Sequence, residues 1–176
     1  MYDAKLWTKN YEKGVPENVN YQGQLIQQTL DAAAAKYPNK VAVRMLLKYL
    51  PLGLAIQSKM SYSELAEATD RFAAALHNLG VKQGDRVSVM LPNIPQQVVA
   101  FYGILKAGCV VVNTNPTYTP REIEHQLADS GAETIVMLSS LYSRLEQVKA
   151  KTPIKRVIIT DVPDPLGFPF NRLVEK

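Results

Sequence analysis

A cluster of polar side chains that could contact a ligand lies in one short segment, residues 114–119, directly after a valine-rich run. The segment reads Thr-Asn-Pro-Thr-Tyr-Thr, so it offers hydroxyl groups and one amide but no acid, base or cation. Groups of this kind can orient a ligand, and they also form turns and cap helices. They do not by themselves transfer protons at neutral pH. We interpret the segment as a turn followed by a helix cap, with ligand contact as the alternative.

No segment has the pattern of a loop that binds phosphate groups. The loop after an earlier run of β-branched residues reads Pro92, Asn93, Ile94, Pro95 and lacks the glycines of a dinucleotide fingerprint. No stretch matches the glycine-lysine-serine or glycine-lysine-threonine pattern that cradles a triphosphate. The sequence therefore predicts no nucleotide site of either type in these loops.

The remaining side chains capable of chemistry each fit a structural role: Cys109, His77, His125, Asp85 and Arg86. The cysteine begins a β-branched run, where a free thiol is usually a small buried apolar group. The histidines fall near a helix end and on a charged helix, and the Asp-Arg pair precedes a strand, where it can cap a turn or form an ion pair. No nucleophile, base and oxyanion donor come together. We assign no catalytic, cofactor-binding or metal-binding residue.

The composition is typical of a globular protein in a reducing compartment. Of the 176 residues, 47% are hydrophobic, and the one cysteine excludes an internal disulfide. The 20 basic residues exceed the 16 acidic ones only slightly and are scattered, which argues against nucleic acid as a partner. Neither a signal peptide nor an apolar run of about 18 residues is recognisable. We expect a soluble, cytoplasmic protein.

Residues 1–20 resemble an N-terminal arm, since glycine and proline interrupt regular structure there. Three elements are predicted after this arm: a helix at residues 24–37, a β-hairpin with an apolar tip at residues 41–47 and 54–60, and a helix at residues 62–79. The second helix has the clearest signals, because Ser61 and Glu64 have the spacing of a capping box and Gly80 can end the helix.

From residue 84 onward, predicted strands and helices alternate. The strands fall at residues 86–91, 109–113, 134–138 and 156–160, and the helices between them at residues 95–107, 120–130 and 140–151. Strand-helix-strand units have right-handed crossovers and parallel strands. The predicted fold class is therefore α/β, with an open, mostly parallel, doubly wound sheet, flanking helices and the hairpin outside the sheet. Prolines indicate a linker in residues 161–176.

Several linear motifs resemble those of the adenylate-forming (AMP-binding) family, which includes acyl-CoA synthetases, luciferases and peptide-synthetase adenylation domains. Residues 61–65, Ser-Tyr-Ser-Glu-Leu, look like the first core motif of this family, and residues 84–93 look like the strand that follows. Residues 103–108, Gly-Ile-Leu-Lys-Ala-Gly, look like the second core motif. Residues 113–131 are similar to bacterial long-chain fatty-acid–CoA ligases. The resemblance extends over residues 25–160.

The resemblance implies that residues 21–160 are an α/β subdomain within the N-terminal domain of an acyl-CoA synthetase. It implies a full-length enzyme that converts ATP, a fatty acid and CoA into acyl-CoA, AMP and pyrophosphate through an acyl-adenylate, with Mg²⁺. The family supplies its phosphate loop, ribose-binding acid and lysine from later sequence, and those motifs do not occur in residues 1–176. We therefore expect an inactive N-terminal fragment that ends inside the linker and binds none of these cofactors.

One departure from the family pattern lies between the two hairpin strands. Residues 46–54, Leu-Leu-Lys-Tyr-Leu-Pro-Leu-Gly-Leu, are longer and more apolar than the family leads us to expect. Such a tip could contact the inner face of the membrane, meet a second subunit in a homodimer, or pack on its own enzyme. We favour packing, and exposure of the tip is the observation that would support the other two.

Two alternatives to a fatty-acid ligase remain open. One is an aromatic-acid CoA ligase or a luciferase-like enzyme of the same family, because the acid pocket of the family is built mostly from later sequence. The other is a non-catalytic α/β interaction module that keeps the fold without the activity. Substrate screening of the complete protein distinguishes the first alternative from a fatty-acid ligase. The gene sequence beyond Lys176 distinguishes the second alternative from an enzyme.

Overall fold

The computed structural model describes residues 5–19, 23, 25–49, 51 and 54–166. The helices are α1 (Ile26–Lys36), α2 (Tyr62–Asn78), α3 (Pro95–Lys106), α4 (Pro120–Ser130) and α5 (Tyr142–Glu146). The strands are β1 (Val41–Tyr49), β2 (Ala55–Ser61), β3 (Arg86–Met90), β4 (Val110–Asn113), β5 (Thr134–Leu138) and β6 (Arg156–Thr160). Within this part of the chain, no helix is long and apolar enough to cross a bilayer.

The last four strands form one parallel sheet in the order β4-β3-β5-β6, and the first two form a separate antiparallel hairpin. Both features confirm the predicted α/β class. Strands β5 and β6 have the predicted limits, whereas β3 and β4 are each one residue shorter. The chain moves outward from β3 to β4, then crosses back past β3 to β5 and continues to β6.

The central strands are buried on both faces, because successive side chains of a strand point to opposite sides. Val87 and Val89 of β3 join a first core with Val136 of β5, beneath α2 and α3. Met90 of β3 joins a second core with Met137 of β5, beneath α4 and α5. Burial on both faces explains why these strands are nearly continuous apolar runs in the sequence.

The hairpin packs one of its faces on the first core. Its strands run to Tyr49 and from Ala55, so β1 is two residues longer than predicted. Met45 packs against the first core, and its register partner Ser58 is buried. A register shift after Leu46 interrupts the ladder, as a β-bulge does. The hairpin therefore has a fixed orientation relative to the sheet.

The tip of the hairpin is only partly within the described residues. Leu54 is 60% exposed, so this leucine does not pack inside its own chain. Leu50 and Leu52, which the sequence also placed at the apolar tip, lie outside the described residues. The exposed leucine supports the interpretations that require an accessible tip.

Two helices begin at capping boxes: the one predicted at Ser61, and one at the helix cap predicted at the end of residues 114–119. At α2 the Glu64 amide donates to the Ser61 hydroxyl at 3.3 Å, and the Ser61 amide donates to the Glu64 carboxylate at 2.7 Å. Thr119 and Glu122 repeat this arrangement at α4, and Gly131 ends that helix in the left-handed conformation. Hydrogen bonds from the backbone and then the hydroxyl of Ser61 lower the pKa of Glu64, and Thr119 lowers the pKa of Glu122 in the same way.

The prediction of one continuous helix over residues 140–151 is wrong. A 3-10 turn at Ser139–Leu141 leads into the short α5, and another occupies Lys149–Lys151. The backbone leaves the helical region at Val148, with φ −124° and ψ −5°. Val148 is buried in the same core as Leu145. Packing of these side chains beneath the sheet therefore outweighs the helical preference of the segment.

Helices α2 and α3 approach each other closely at Gly103. A methyl group built on Gly103 would lie 2.7 Å from Cδ1 of Phe72 and 3.1 Å from the backbone oxygen of Thr69. A glycine inside a helix costs roughly 0.5–1 kcal/mol relative to alanine. The gap between the two helices is too narrow for a methyl group, which explains why glycine nevertheless occupies this position.

A partly buried lysine joins three helices. Nζ of Lys106, at the end of α3, lies 2.6 Å from a carboxylate oxygen of Asp31 in α1 and 2.7 Å from one of Asp70 in α2. Burial by itself lowers the pKa of Lys106, but the hydrogen bonds and negative charges of Asp31 and Asp70 outweigh burial and raise it. Lys106 therefore stays charged and holds α1 against the other two helices.

Replacing Gly103 by alanine tests the close helix contact. Without that contact, alanine would stabilise the helix by roughly 0.5–1 kcal/mol. We expect destabilisation by about 1–3 kcal/mol instead, because the added methyl group overpacks the interface. Urea unfolding measures the change. The double variant Gly103→Ala with Phe72→Leu should recover part of the loss, and a Gly103→Ala protein as stable as the parent would contradict the packing described here.

Replacing Ser61 by alanine tests the first capping box and its pH dependence. The variant should lose about 1 kcal/mol of stability at pH 7. The folded state lowers the pKa of Glu64, so the carboxylate's contribution is present above the unfolded pKa and is lost as the pH falls through the folded pKa. The difference between parent and variant should therefore shrink in acid. Thermal unfolding from neutral to acid pH checks this, with Glu64→Gln as the matched variant that lacks the titration. A stability difference that stays constant with pH would show that the Glu64 carboxylate does not contribute to the cap.

Candidate functional site

Open parallel sheets bind ligands outside the carboxyl ends of their strands, where the chain reverses direction across the sheet. In this fold that point lies between β3 and β5, because α3 packs on one face whereas α4 and α5 pack on the other. The loops at this edge are residues 91–94, 114–119 and 139–141, together with residues 161–164 after β6. These loops form the candidate site.

The polar loop at residues 114–119 is organised by its own hydrogen bonds. The side-chain oxygen of Asn115 accepts from the Thr117 amide at 2.9 Å and from the Thr117 hydroxyl at 2.8 Å. Thr119 forms the capping box of α4. These contacts agree with the turn and helix cap that the sequence predicts.

Thr114 fixes the start of this loop to the centre of the sheet. Its hydroxyl lies 2.8 Å from the hydroxyl of Ser88 in β3, and both side chains are buried. Its amide donates to the carbonyl of Val89 at 3.0 Å. Two buried hydroxyls that bond to each other avoid the cost of an unsatisfied polar group. Sequence reasoning missed this pair, because its members are 26 residues apart.

Arg144 holds the other end of the same loop. Its guanidinium donates to the carbonyl oxygens of Pro116 at 3.2 Å and Tyr118 at 3.4 Å. Nothing in the local pattern around Arg144 distinguishes it from an ordinary surface arginine, so the sequence offered no signal for this role. The contact joins α5 to the loop that leads into α4.

A cleft of about 350 Å³ lies against this loop, at the ends of β3 and β4. Its polar lining includes Asn93, Gln97, Asn113 and Tyr118, and all of its described lining residues are uncharged. Amides and hydroxyls can orient a ligand by hydrogen bonding. They do not act as a general acid or base near pH 7, and they supply no cation to a phosphate.

A second cleft of about 320 Å³ lies between α3 and β6 and is mainly apolar, with Phe72, Val99 and Ile158 in its wall. Its polar lining residues are Gln96, Thr160 and Asp164. Nε2 of Gln96 donates to the backbone oxygen of Asp161 at 2.7 Å, whereas Oε1 is buried without a hydrogen-bond partner among residues that the structure describes. A mainly apolar cleft of this size can receive an apolar segment.

The carboxylates near this second cleft bond to neighbouring groups of the chain. Asp161 accepts from the Ser139 hydroxyl. Asp164 accepts from the Thr160 hydroxyl and from the Asp161 amide, both at 2.7 Å. These bonds close the turn after β6 and join it to the end of β5.

Three residues considered from the sequence lie at the opposite, amino end of the sheet. Asp85 accepts from the Lys82 amide at 2.8 Å, and Arg86 donates to the Gly131 carbonyl at 3.4 Å. Cys109 is buried, with Sγ 3.3 Å from the Lys82 carbonyl oxygen. Burial, and then the negative charge of Asp85, raises the pKa of Cys109. The thiol therefore stays protonated near neutral pH, which gives it little nucleophilic character.

Both histidines lie on exposed helix surfaces, His77 in the last turn of α2 and His125 on α4. In the described ranges between residues 5 and 166, no three His, Cys, Asp or Glu side chains form a group that could hold a metal ion. Cys109 and the Asp85–Arg86 pair thus lie away from the carboxyl-edge loops, and the two histidines lie on separate helices.

Comparison with known proteins relates this fold to a family of enzymes. Residues 30–172 match the family described as AMP-binding enzyme. A long-chain-fatty-acid–CoA ligase of Salmonella typhimurium is 41% identical over 165 residues, which cover 93% of this chain and 28% of the relative. The 4-coumarate-CoA ligase 1 of Narcissus pseudonarcissus is 36% identical over 112 residues, which cover 64% of this chain and 20% of the relative.

A solved structure gives the same relationship. The crystal structure of a long-chain-fatty-acid-CoA ligase from Archaeoglobus fulgidus matches with a TM-score of 0.74 and 31% identity, over 86% of this chain and 30% of that one. The chain thus spans less than a third of the length of these relatives. Because the family match covers most of its residues, the chain belongs to the family of AMP-binding enzymes.

Proposed function

We propose that this chain is the N-terminal part of a fatty-acid–CoA ligase. The observation that carries the proposal is the 41% identity with a long-chain-fatty-acid–CoA ligase over 93% of the chain. The similarity to the coumarate ligase is lower and covers 64% of the chain. Within the AMP-binding family, the sequence therefore favours the fatty-acid branch.

The proposed reaction of the complete protein has two steps. The fatty-acid carboxylate attacks the α-phosphorus of ATP, and pyrophosphate leaves as the acyl-adenylate forms. The CoA thiol then loses its proton and attacks the acyl carbon, so that a thioester forms and AMP leaves. Mg²⁺ is the metal ion that the family implies for the first step.

The described residues of this chain do not fit a site for ATP and Mg²⁺. The described lining of the 350 Å³ cleft at the carboxyl edge is uncharged, and Arg144 is bonded to the backbone of the polar loop. Arg121, just after the loop, lines a separate surface cleft together with Glu122 and His125. A triphosphate needs several converging donors and cations. We therefore assign the chemical steps to the remainder of the protein and none of them to these residues.

The proposed role of this part of the protein is to build and hold one side of the site. The Ser88–Thr114 hydroxyl pair fixes the loop at residues 114–119 to the sheet, and Arg144 fixes it to α5. A misplacement of about 1 Å in supporting structure can cost about a hundredfold in rate. In this proposal, residues 21–160 form the supporting subdomain, preceded by an arm and followed by a linker, in a cytoplasmic enzyme.

A second candidate is an aromatic-acid CoA ligase of the same family, which the similarity to the coumarate ligase favours. We expect the complete gene product to form CoA thioesters from long-chain fatty acids at least about tenfold more efficiently, in kcat/KM, than from coumarate or benzoate. A tenfold ratio corresponds to about 1.4 kcal/mol of transition-state discrimination. Thioester formation with each acid measures this ratio, and a preference for the aromatic acids would support the second candidate.

The proposal also predicts that the 176-residue chain alone neither binds ATP nor forms an adenylate. The described loops at its carboxyl edge contain neither a glycine-rich cradle nor a lysine for the phosphate groups, so we expect the activity to be absent instead of weakened. Titration calorimetry with ATP and Mg²⁺, together with pyrophosphate exchange, checks both points. The complete gene product is the positive control.

Two outcomes would contradict the proposal. Saturable ATP binding by the 176-residue chain would show that its nucleotide site is within these residues. A complete gene product that folds, yet forms no adenylate with any acid tested, would favour a non-catalytic interaction module.

A further inference from the structure

The β1–β2 hairpin combines positive charge with exposed apolar side chains, and the proposed reaction uses neither. We propose that this hairpin is a docking surface for the anionic face of a lipid bilayer. The charge, exposure and orientation of the hairpin do not depend on the proposed ligase activity.

The hairpin, together with Lys40 directly before it, has a net charge equal to that of the whole chain. Residues 40–60 contain four basic residues and no acidic one. The basic residues are Lys40, Arg44, Lys48 and Lys59. Since the net charge of the chain is also +4, its other basic and acidic residues balance each other. Three of these cations, Arg44, Lys48 and Lys59, are on the hairpin itself, which has no acidic residue, so the hairpin can attract an anionic surface.

Two of these cations face each other across the strands. Arg44 of β1 and Lys59 of β2 are register partners, and both are exposed. Like charges directly opposite each other destabilise a strand pair. An anionic surface applied to this face would relieve the repulsion, so the arrangement favours docking to negative charge.

The end of the hairpin adds an apolar component to this charge. Tyr49 is 77% exposed, Leu54 is 60% exposed and Leu46 is 45% exposed. Tyrosine suits the boundary between headgroups and acyl chains, because its ring is apolar and its hydroxyl is polar. Lys48 lies beside Tyr49 and is also exposed. Residues 50, 52 and 53 lie outside the described part of the chain.

The packing of the hairpin keeps this surface accessible. Met45 and Ser58 turn toward the protein, where Met45 packs on the first core and Ser58 is buried. Because side chains alternate along a strand, Arg44 and Lys59 must then point away from the protein. The outer face and the tip can therefore meet a flat surface together.

A bilayer fits this surface better than a second copy of the chain does. A symmetric contact between two hairpins would bring the same patch of each copy together. Each patch carries the positive charges of Arg44, Lys48 and Lys59, so the two copies would repel each other. Anionic lipid headgroups neutralise these charges, and the acyl region accepts the exposed tyrosine and leucine.

Co-sedimentation with lipid vesicles tests the proposal, for the 176-residue chain and for the complete gene product. We expect binding to vesicles that mix phosphatidylcholine with phosphatidylglycerol, and binding at least about tenfold weaker to phosphatidylcholine alone. The triple variant Arg44→Gln, Lys48→Gln, Lys59→Gln should weaken binding about fivefold for each charge removed. High salt should weaken binding of the parent protein, because salt screens exposed charges.

Matched variants distinguish binding through this surface from non-specific binding to lipid. Tyr49→Ser with Leu54→Ser should lower binding, whereas Leu79→Ser, at a leucine that is 50% exposed elsewhere, should not. The triple variant Lys9→Gln, Lys13→Gln, Lys82→Gln removes the same number of exposed charges away from the hairpin and should bind like the parent. Circular dichroism checks that each variant keeps the fold.

A fluorescence measurement locates the tip in the bilayer. Tyr49→Trp in a Trp7→Phe background places a single tryptophan at the tip, since the chain contains one tryptophan. Brominated lipids should quench its fluorescence. The parent protein, with its tryptophan at position 7, is the comparison and should be quenched less.

Several outcomes would overturn the proposal. These are equal binding to neutral and anionic vesicles, equal loss in the hairpin and control variants, and no vesicle binding at all. Sedimentation velocity tests the remaining alternative, which is a dimer formed through the hairpin. A dimer that the tip variant dissociates, in a protein that does not bind vesicles, would assign the surface to a second copy of the chain.

Discussion

The side chains of β3 and β5 point alternately into two separate cores, and this double burial dictates how the rest of the chain is arranged. A strand that is apolar on both faces must be covered on both faces, so the crossover helices divide between them. The closest of these packings is between α2 and α3, where Gly103 leaves no space for a side chain. Lys106 then ties α1 to the same pair of helices through two carboxylates. The helices and the carboxyl-edge loops are thus positioned by one central constraint.

That constraint also explains the character of the candidate site. The loops at the carboxyl edge are fixed by contacts within the chain, through Ser88, Thr114 and Arg144. The polar groups that line the cleft beside the polar loop are neutral amides and hydroxyls. Such an edge can give shape and rigidity to an active site while charged groups come from elsewhere. The chain belongs to the AMP-binding family and spans less than a third of the length of its relatives, which leaves most of their length to supply such charged groups.

The elements that local signals define were the ones that the sequence predicted well. The capping boxes at Ser61 and Thr119 gave the starts of α2 and α4, and β-branched runs gave the limits of β5 and β6. Local signals failed after β5, because burial of Val148 broke a segment with helical preference. The contacts of Arg144 and Thr114 were also missed, since they join residues that are far apart in sequence and depend on the finished fold.

Cys109 gives the molecule a natural reporter of local opening. The only thiol in the chain is buried at the start of β4, an edge strand of the sheet, and its raised pKa keeps it protonated. A thiol reagent can therefore react at an appreciable rate only when this edge separates from the loop at Lys82. The labelling rate of Cys109, compared with that of an unfolded peptide, would give the free energy of opening at the sheet edge without an introduced cysteine.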